Sequence, residues 1–265
     1  MAKKWLVRFL ILAVLFGSFP VNVMADDTEM AKKSGNHTIT IENNTEVLSR
    51  FVGYVSGLPV YRRPVAQGSL LLSSNDGPYL KFWWSKGLTQ DGGNKFCDER
   101  DYIVGFRRNV GILSVDLSYA YYDLYKLMRS MGDLHAFRAN IGIPNKYVTP
   151  YFALESTFPV NGKKPEGGNA YRIGLIRTFQ LLPKLALTID GSLHGNDGTC
   201  GFATDHFSSL RGSAALTYRP TNWLSITPNF NGQLRLGHRT TQNGIAPDLL
   251  WGGVLATICH EAISF

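Results

Sequence analysis

The sequence predicts a closed antiparallel β-barrel that crosses a membrane with about twelve strands, with short turns at one end and long loops at the other. Three observations carry that expectation. From Leu224 to Leu236 one parity reads Leu, Ile, Pro, Phe, Gly, Leu, Leu and the other Ser, Thr, Asn, Asn, Gln, Arg, the period of two of a strand with one apolar and one polar face. Such segments recur along the chain, most at nine or more residues. That length suits a tilted membrane strand of about 9 to 11 residues better than a globular strand of about 5 to 6. The links between them also alternate, short then long.

Composition agrees with a strand-built protein that has a substantial core. The 265 residues are 44% hydrophobic and 18% charged, with 27 glycines, and the mean hydropathy is −0.08. This excludes a disordered chain and a bundle of membrane helices. The formal charge is +7, and it falls to +4 once Lys3, Lys4 and Arg8 are taken off with the first 25 residues. The remaining charge is spread without a basic block, which gives no footing for a nucleic-acid partner.

In chain order, residues 1–25 read as an export signal. Lys3, Lys4 and Arg8 precede the apolar run Phe9–Phe16, and Val23-Met24-Ala25 is a cleavage site before Asp26. Gly17, Ser18 and Pro20 break the run before it reaches the roughly 20 residues of a membrane anchor. Residues 26–46 are polar, alternate only over Thr38–Ile41, and read as a tail partly inside the barrel or as a linker. Residues 47–265 are then the barrel. Its strands are expected at Val47–Gly57, Val65–Ser73, Tyr79–Gly87, Asp101–Asn109, Ile112–Leu124, Leu134–Ile143, Val148–Phe158, Ala170–Leu181, Leu185–His194, Phe207–Arg219, Trp223–Leu236 and Leu249–Phe265. An even number is the rule for bacterial single-chain barrels.

Short links such as Asn75-Asp76-Gly77-Pro78, Val110-Gly111 and Pro183-Lys184 have turn chemistry. Between them fall the long links Leu58–Pro64, Leu88–Arg100, Tyr125–Asp133, Pro159–Asn169, Gly195–His206 and Gly237–Pro247. A soluble sandwich or lipocalin-like barrel would also alternate. The loop alternation, the strand lengths and the aromatics near the stripe ends (Phe82, Tyr102, Phe106, Tyr121, Trp223 and Trp251 among them) favour the membrane barrel.

The polar parity carries the chemistry. It holds Lys81, Arg107, Arg138, Arg172, Arg211 and Arg235 with Asp101, Asp116, Glu155 and Asp190. In a membrane barrel these point inward, because charge on the lipid face costs about 2–4 kcal/mol at the midplane. Six basic residues against four acidic give the lumen a modest positive excess, and hence a mild anion preference. Alternatively, the pairs neutralise one another and close the interior.

The runs Val65–Ser69, Gly77-Pro78-Tyr79, Phe82–Ser85, Glu99–Gly105 and Leu113–Asp123 resemble the TorF-type porin family over residues 47–125. The resemblance implies a small outer-membrane barrel without catalytic residues. It also implies a last strand ending in an aromatic, here Phe265, that is read by the barrel insertion machinery. Phe96-Cys97 departs from the family's loop, so no loop function carries over.

Histidine and serine hydrolases built on barrels are the enzyme class to test. His194, His206, Ser208 and Ser209 are the candidates, with Asp190, Asp197 or Asp205 as the orienting acid. No Gly-x-Ser-x-Gly elbow, zinc-protease helix or phosphate loop supports an enzyme, a metal or a cofactor. Asn196-Asp197-Gly198 is turn chemistry as readily as a calcium loop. Cys97 and Cys200 fall in long loops of an oxidising compartment, where they form either a loop-to-loop disulfide or two thiols. Cys259 reads as a small packed residue.

Together these readings describe a channel for passive diffusion of small polar solutes, set in the outer membrane lipid of a Gram-negative-type bacterium. A non-conducting structural or surface-interaction barrel is the alternative, and a lipid hydrolase the third.

Overall fold

The computed structural model describes residues 37–53, 55, 59–61, 63–89, 98–124, 132–160, 167–198, 205–236 and 248–264. The chain enters through β1 (Thr38–Leu48), forms a small hairpin from β2 (Phe51–Val52) and β3 (Pro59–Tyr61), and continues as a meander. The meander runs through β4 (Val65–Ser74), β5 (Pro78–Gly87), β6 (Glu99–Val110), β7 (Leu113–Asp123), β8 (Leu134–Gly142), β9 (Thr149–Pro159), β10 (Gly168–Leu182), β11 (Leu185–Asp197), β12 (Asp205–Tyr218), β13 (Leu224–Arg235) and β14 (Leu249–Ser264). Every ladder between these strands is antiparallel, and β1 closes the barrel by pairing with β14 on one edge and β4 on the other. Twelve strands therefore form the wall, with no free edge.

The short turns gather at the end where β1 begins and β14 finishes. Thr38 faces Ser264 there, and Asn75 N donates to the Thr38 carbonyl at 3.1 Å. The two-residue turn Gly111-Ile112 joins β6 to β7, with Gly111 at φ 60°, a conformation that tight hairpins need and that suits glycine. The longer links all leave from the opposite end.

The first strand differs from the expected one. Val47–Gly57 is not a barrel strand; Thr38–Leu48 is, so residues 38–46 belong to the wall. The reason is visible in its outward face, where Asn43 and Thr45 interrupt Ile39, Ile41 and Val47. Without an apolar stripe, the alternation could not be read beyond Ile41.

Elsewhere the outer face is apolar. On β6, Tyr102, Val104 and Phe106 stand exposed between Arg100 and Arg108. Eight residues at about 3.3 Å each, tilted by about 40°, give an apolar band of roughly 20 Å. A ribbon of rings crosses five strands near the long-loop end. Phe82 meets Tyr102 at 5.4 Å, Tyr102 meets Tyr121 at 6.3 Å, Tyr121 meets His135 at 5.7 Å and His135 meets Phe158 at 5.4 Å. Trp223 stacks on His260 at 6.2 Å near the short-turn end. Trp251, expected in such a girdle, instead points inward and is buried.

Candidate functional site

The interior of the barrel is the candidate site, and one arrangement is built there three times. A tyrosine on one strand, an arginine on the next and a carboxylate on the third come together on the inward face. On β5–β7, Arg107 Nε donates to Asp116 Oδ2 at 2.9 Å, the Tyr79 hydroxyl donates to Asp116 Oδ1 at 2.7 Å, and the guanidinium lies 5.4 Å over the Tyr79 ring. On β7–β9, Arg138 Nε donates to Glu155 at 2.7 Å, Tyr122 donates to the same carboxylate at 2.8 Å, and Arg138 lies 5.0 Å over Tyr122. On β9–β11, Arg172 pairs with Asp190, Tyr151 donates to Asp190 at 2.8 Å, and Arg172 lies 4.9 Å over Tyr151. Each unit joins a charge-assisted bond to a cation–π contact.

The tyrosine must reach across an intervening strand, and in two of the three units glycine makes room. Tyr79 faces Gly105 and Tyr151 faces Gly174 in the register. A Cβ on either glycine would fall inside the ring that crosses it, so a larger residue would displace the tyrosine from its carboxylate.

The remaining interior charges fit around these units. Asp101 lies 3.8 Å from Arg138. Lys81 stands among Arg138, Glu42, Arg107 and Asp101. Arg211 lies 5.2 Å over the Trp251 ring and donates to Gln233 Oε1 at 3.3 Å. Arg235 is the last residue of β13 and is exposed at the rim, where its backbone N–H meets Asp248 at 2.9 Å. All ten charges singled out in the sequence thus stand on the inward parity. Three more were missed: Glu42 and Glu46 on β1, and Glu99 on β6. Asn44 donates to Glu42 at 2.5 Å and Asn229 to Glu46 at 2.7 Å. The described inward wall therefore carries six basic and seven acidic side chains, and the positive excess expected from the sequence is absent there.

The link from β1 to β4, residues 49–64, is longer than the expected Leu58–Pro64, and its described residues fold into the lumen instead of outward. Its Gly53 carbonyl accepts from Arg211 at 3.2 Å and its Val55 carbonyl from His194 Nδ1 at 2.8 Å. Phe51 packs against inward-facing Trp83 at 5.7 Å. Val52 and Tyr61 share a buried cluster with Leu48, Val65, Leu249 and Trp251, and Val60 packs on a second cluster that contains Tyr79, Ile103 and Tyr122. This link touches the wall at β5, β11, β12 and β14, and so crosses the interior. Its apolar residues drive the inward fold, because Val52, Val55 and Tyr61 are removed from water there.

His194 belongs to this contact. With Nδ1–H given to the Val55 carbonyl, Nε2 accepts from Ser192 Oγ at 3.0 Å, and Ser192 accepts from Arg172 Nε at 3.1 Å. Asp190, one of the three acids expected to orient a catalytic histidine, is bound to Arg172 and Tyr151 instead. Ser208 Oγ donates to the His194 backbone carbonyl at 3.2 Å and not to its ring. The candidate triad is therefore not assembled from His194, Ser208 and Asp190. Asp197 ends β11; Cys259 sits half-buried on β14. Cys97, Cys200, Phe265 and the side chains of Asp205 and His206 lie outside the described residues.

No family model matches the chain, and no curated protein matches it. Among solved structures it is similar to the KdgM porin, at 8% identity and a TM-score of 0.51, covering 83% of this chain and 98% of that one. The NanC porin gives 10% identity and a TM-score of 0.48, with 85% and 100% covered. An outer membrane channel from Pseudomonas putida F1 gives 12% and 0.49, with 85% and 96% covered. At such identities the likeness is one of architecture: the chain shares with the KdgM porin the fold of a small, closed, antiparallel twelve-stranded barrel.

Proposed function

We propose that the protein is an outer-membrane channel for passive diffusion of small polar solutes. The observation that carries this reading is the division of the wall, apolar and aromatic outside and charged inside around a lumen. The resemblance of residues 47–125 to TorF-type porins supports it, as does an export signal at residues 1–25. In this reading both ends of the barrel and the short turns face the periplasm, outer-membrane lipid surrounds the apolar band, and Phe265 is the signal for the insertion machinery.

Selectivity follows from the wall charges. With Glu42, Glu46 and Glu99 counted, the interior is balanced, so the mild anion preference expected from six basic and four acidic residues gives way to weak charge selectivity. The crossing of the lumen by the first long link sets a narrow passage and favours solutes of small cross-section. Liposome swelling with the purified protein tests this. Entry of small amino acids and monosaccharides, falling steeply with solute size, is the expected result.

The same inward link supports a second reading, a structural barrel whose interior is closed. Swelling indistinguishable from empty liposomes for every solute would establish that reading and overturn the channel.

A further inference from the structure

We propose that the short-turn end of the barrel holds anionic phospholipids by their phosphodiester headgroups, along the stretch of rim from β6 to β13. The proposal rests on the reading of the apolar band as lipid-facing. That rim carries five exposed cations: Arg108 near the end of β6, Lys146 in the link from β8 to β9, Arg177 and Lys184 on the β10–β11 hairpin, and Arg219 in the link from β12 to β13. None of the five belongs to an ion pair among the described residues. Residues 104–119, 139–153, 173–189 and 214–230, which build this end, contain one carboxylate, Asp116, and it is turned inward to Arg107 and Tyr79. At the opposite end cations stand beside acids: Arg100 faces Asp123 across the β6–β7 ladder, and Asp98 and Asp133 bond to the backbone of the same rim.

The setting of these cations selects a lipid over a polyanion in water. Arg177 shares the outward parity of β10 with the exposed apolar Ile173, Leu175, Phe179 and Leu181, and its guanidinium lies 4.6 Å from the Phe179 ring centre. Ile176 pairs with Thr149, the first residue of β9, so Arg177 stands beside the link that carries Lys146. The Lys146 ammonium lies 4.9 Å over the ring of Tyr147, which is itself exposed. Lys184 Nζ donates to the Pro220 carbonyl at 2.9 Å, and Arg219 N donates to the Lys184 carbonyl at 2.9 Å. These bonds fix Lys184 and Arg219 on adjoining turns, near the exposed Tyr218 and Trp223. Cationic heads on apolar stems, interleaved with rings at the edge of an apolar band, are the anchors of a membrane interface. A phospholipid meets the rings with its chains and the cations with its phosphate, whereas a polyanion in water has no apolar part to cover Phe179, Leu181 and Tyr147.

Electrostatics supplies the drive. Successive hairpins lie two strands apart, roughly 10 Å at about 4.8 Å per strand, which is close to the Debye length of about 8 Å at physiological salt. Cations so placed repel one another, and a phosphodiester between neighbours relieves that repulsion. Each basic side chain near a bilayer surface adds to the attraction for anionic lipid. The rim therefore favours phosphatidylglycerol over zwitterionic phosphatidylcholine, most strongly at low salt.

The test uses the full chain refolded into phosphatidylcholine bilayers that hold a trace of spin-labelled phosphatidylglycerol or spin-labelled phosphatidylcholine. The motionally restricted fraction of each label gives its relative association with the barrel. The wild type should select phosphatidylglycerol roughly threefold or more at low salt, and the selection should vanish at about 1 M salt. Exchange of all five cations, Arg108→Gln, Lys146→Gln, Arg177→Gln, Lys184→Gln and Arg219→Gln, should bring the two lipids to parity. The pair Lys146→Gln, Arg177→Gln, which removes no hydrogen bond among the described residues, should lower the selection without touching insertion. Lys86→Gln with Arg100→Gln at the long-loop end should leave it unchanged. A restricted fraction without headgroup preference in the wild type, or a preference that survives both the pair and the full exchange, overturns the lipid site and leaves the membrane reading standing. So does a wild type that ignores phosphatidylglycerol but sediments with peptidoglycan. No restricted fraction of either lipid overturns both.

Discussion

Two walls of the lumen carry the same three-residue unit in different surroundings. On the β5–β7 side, Arg107 and Asp116 keep 32% and 17% of their side-chain surface exposed. On the β9–β11 side, Arg172 and Asp190 keep 1% and 5%. The residue types, the strand spacing and the stacking tyrosine are alike, so the difference comes from what lies over them. Ser192 and His194 connect Arg172 to the inward-folded link, while Arg107 lies close to the short-turn end of β6 and stays partly exposed. One wall is therefore the more solvent-accessible. The other is a dry polar seam that holds the link in place.

Breaking an ion pair should separate the walls most. Removal of Asp190 by Asp190→Ala strands a buried guanidinium, at a cost of about 3–5 kcal/mol. Asp116→Ala on the wet side should cost about 1 kcal/mol or less. Urea unfolding of the refolded barrel in micelles reads both, and equal losses would erase the distinction. A Cβ at Gly174 forces Tyr151 off Asp190 and should destabilise by about 1–3 kcal/mol. Gly111→Ser, at an open turn with no atom near its missing Cβ, retains only the smaller backbone penalty of its positive φ.

The hydroxyls sharpen the contrast further. Tyr151→Phe deletes a bond to a buried carboxylate and should lose about 1.5–3 kcal/mol, whereas water can replace the lost donor in Tyr79→Phe, leaving a loss below about 1 kcal/mol. The smallest effect is electrical. Arg107→Glu should move the reversal potential toward cations, increasingly so at low salt. Arg235→Glu, at the exposed rim, should move it less. A reversal potential indifferent to Arg107→Glu would mean that the wet wall is not on the solute path.

The strands and the interior differ in how far the sequence discloses them. β13 could be read because both of its faces obey the period of two, and the inward charges followed from parity alone. β1 could not, since Asn43 and Thr45 erase its apolar stripe, and with it went Glu42 and Glu46. Parity also does not tell which groups meet. Tyr79 reaches Asp116 over Gly105 two strands away, and the only trace of that in the sequence is a glycine opposite a tyrosine once the register is known. The inward link was hidden for a different reason. Val55 and His194 are 139 positions apart, and a mixed apolar and polar stretch such as 49–64 has no period that says on which side of the barrel mouth it lies.

The account stands on a conducting barrel narrowed by its first link. Planar-bilayer recording of the full chain beside a variant in which residues 51–61 are replaced by a short Gly-Ser linker tests this most directly. The expected result is a small, steady conductance for the full chain and a severalfold larger one for the linker variant. Silence from both proteins, or equal conductance, would contradict it.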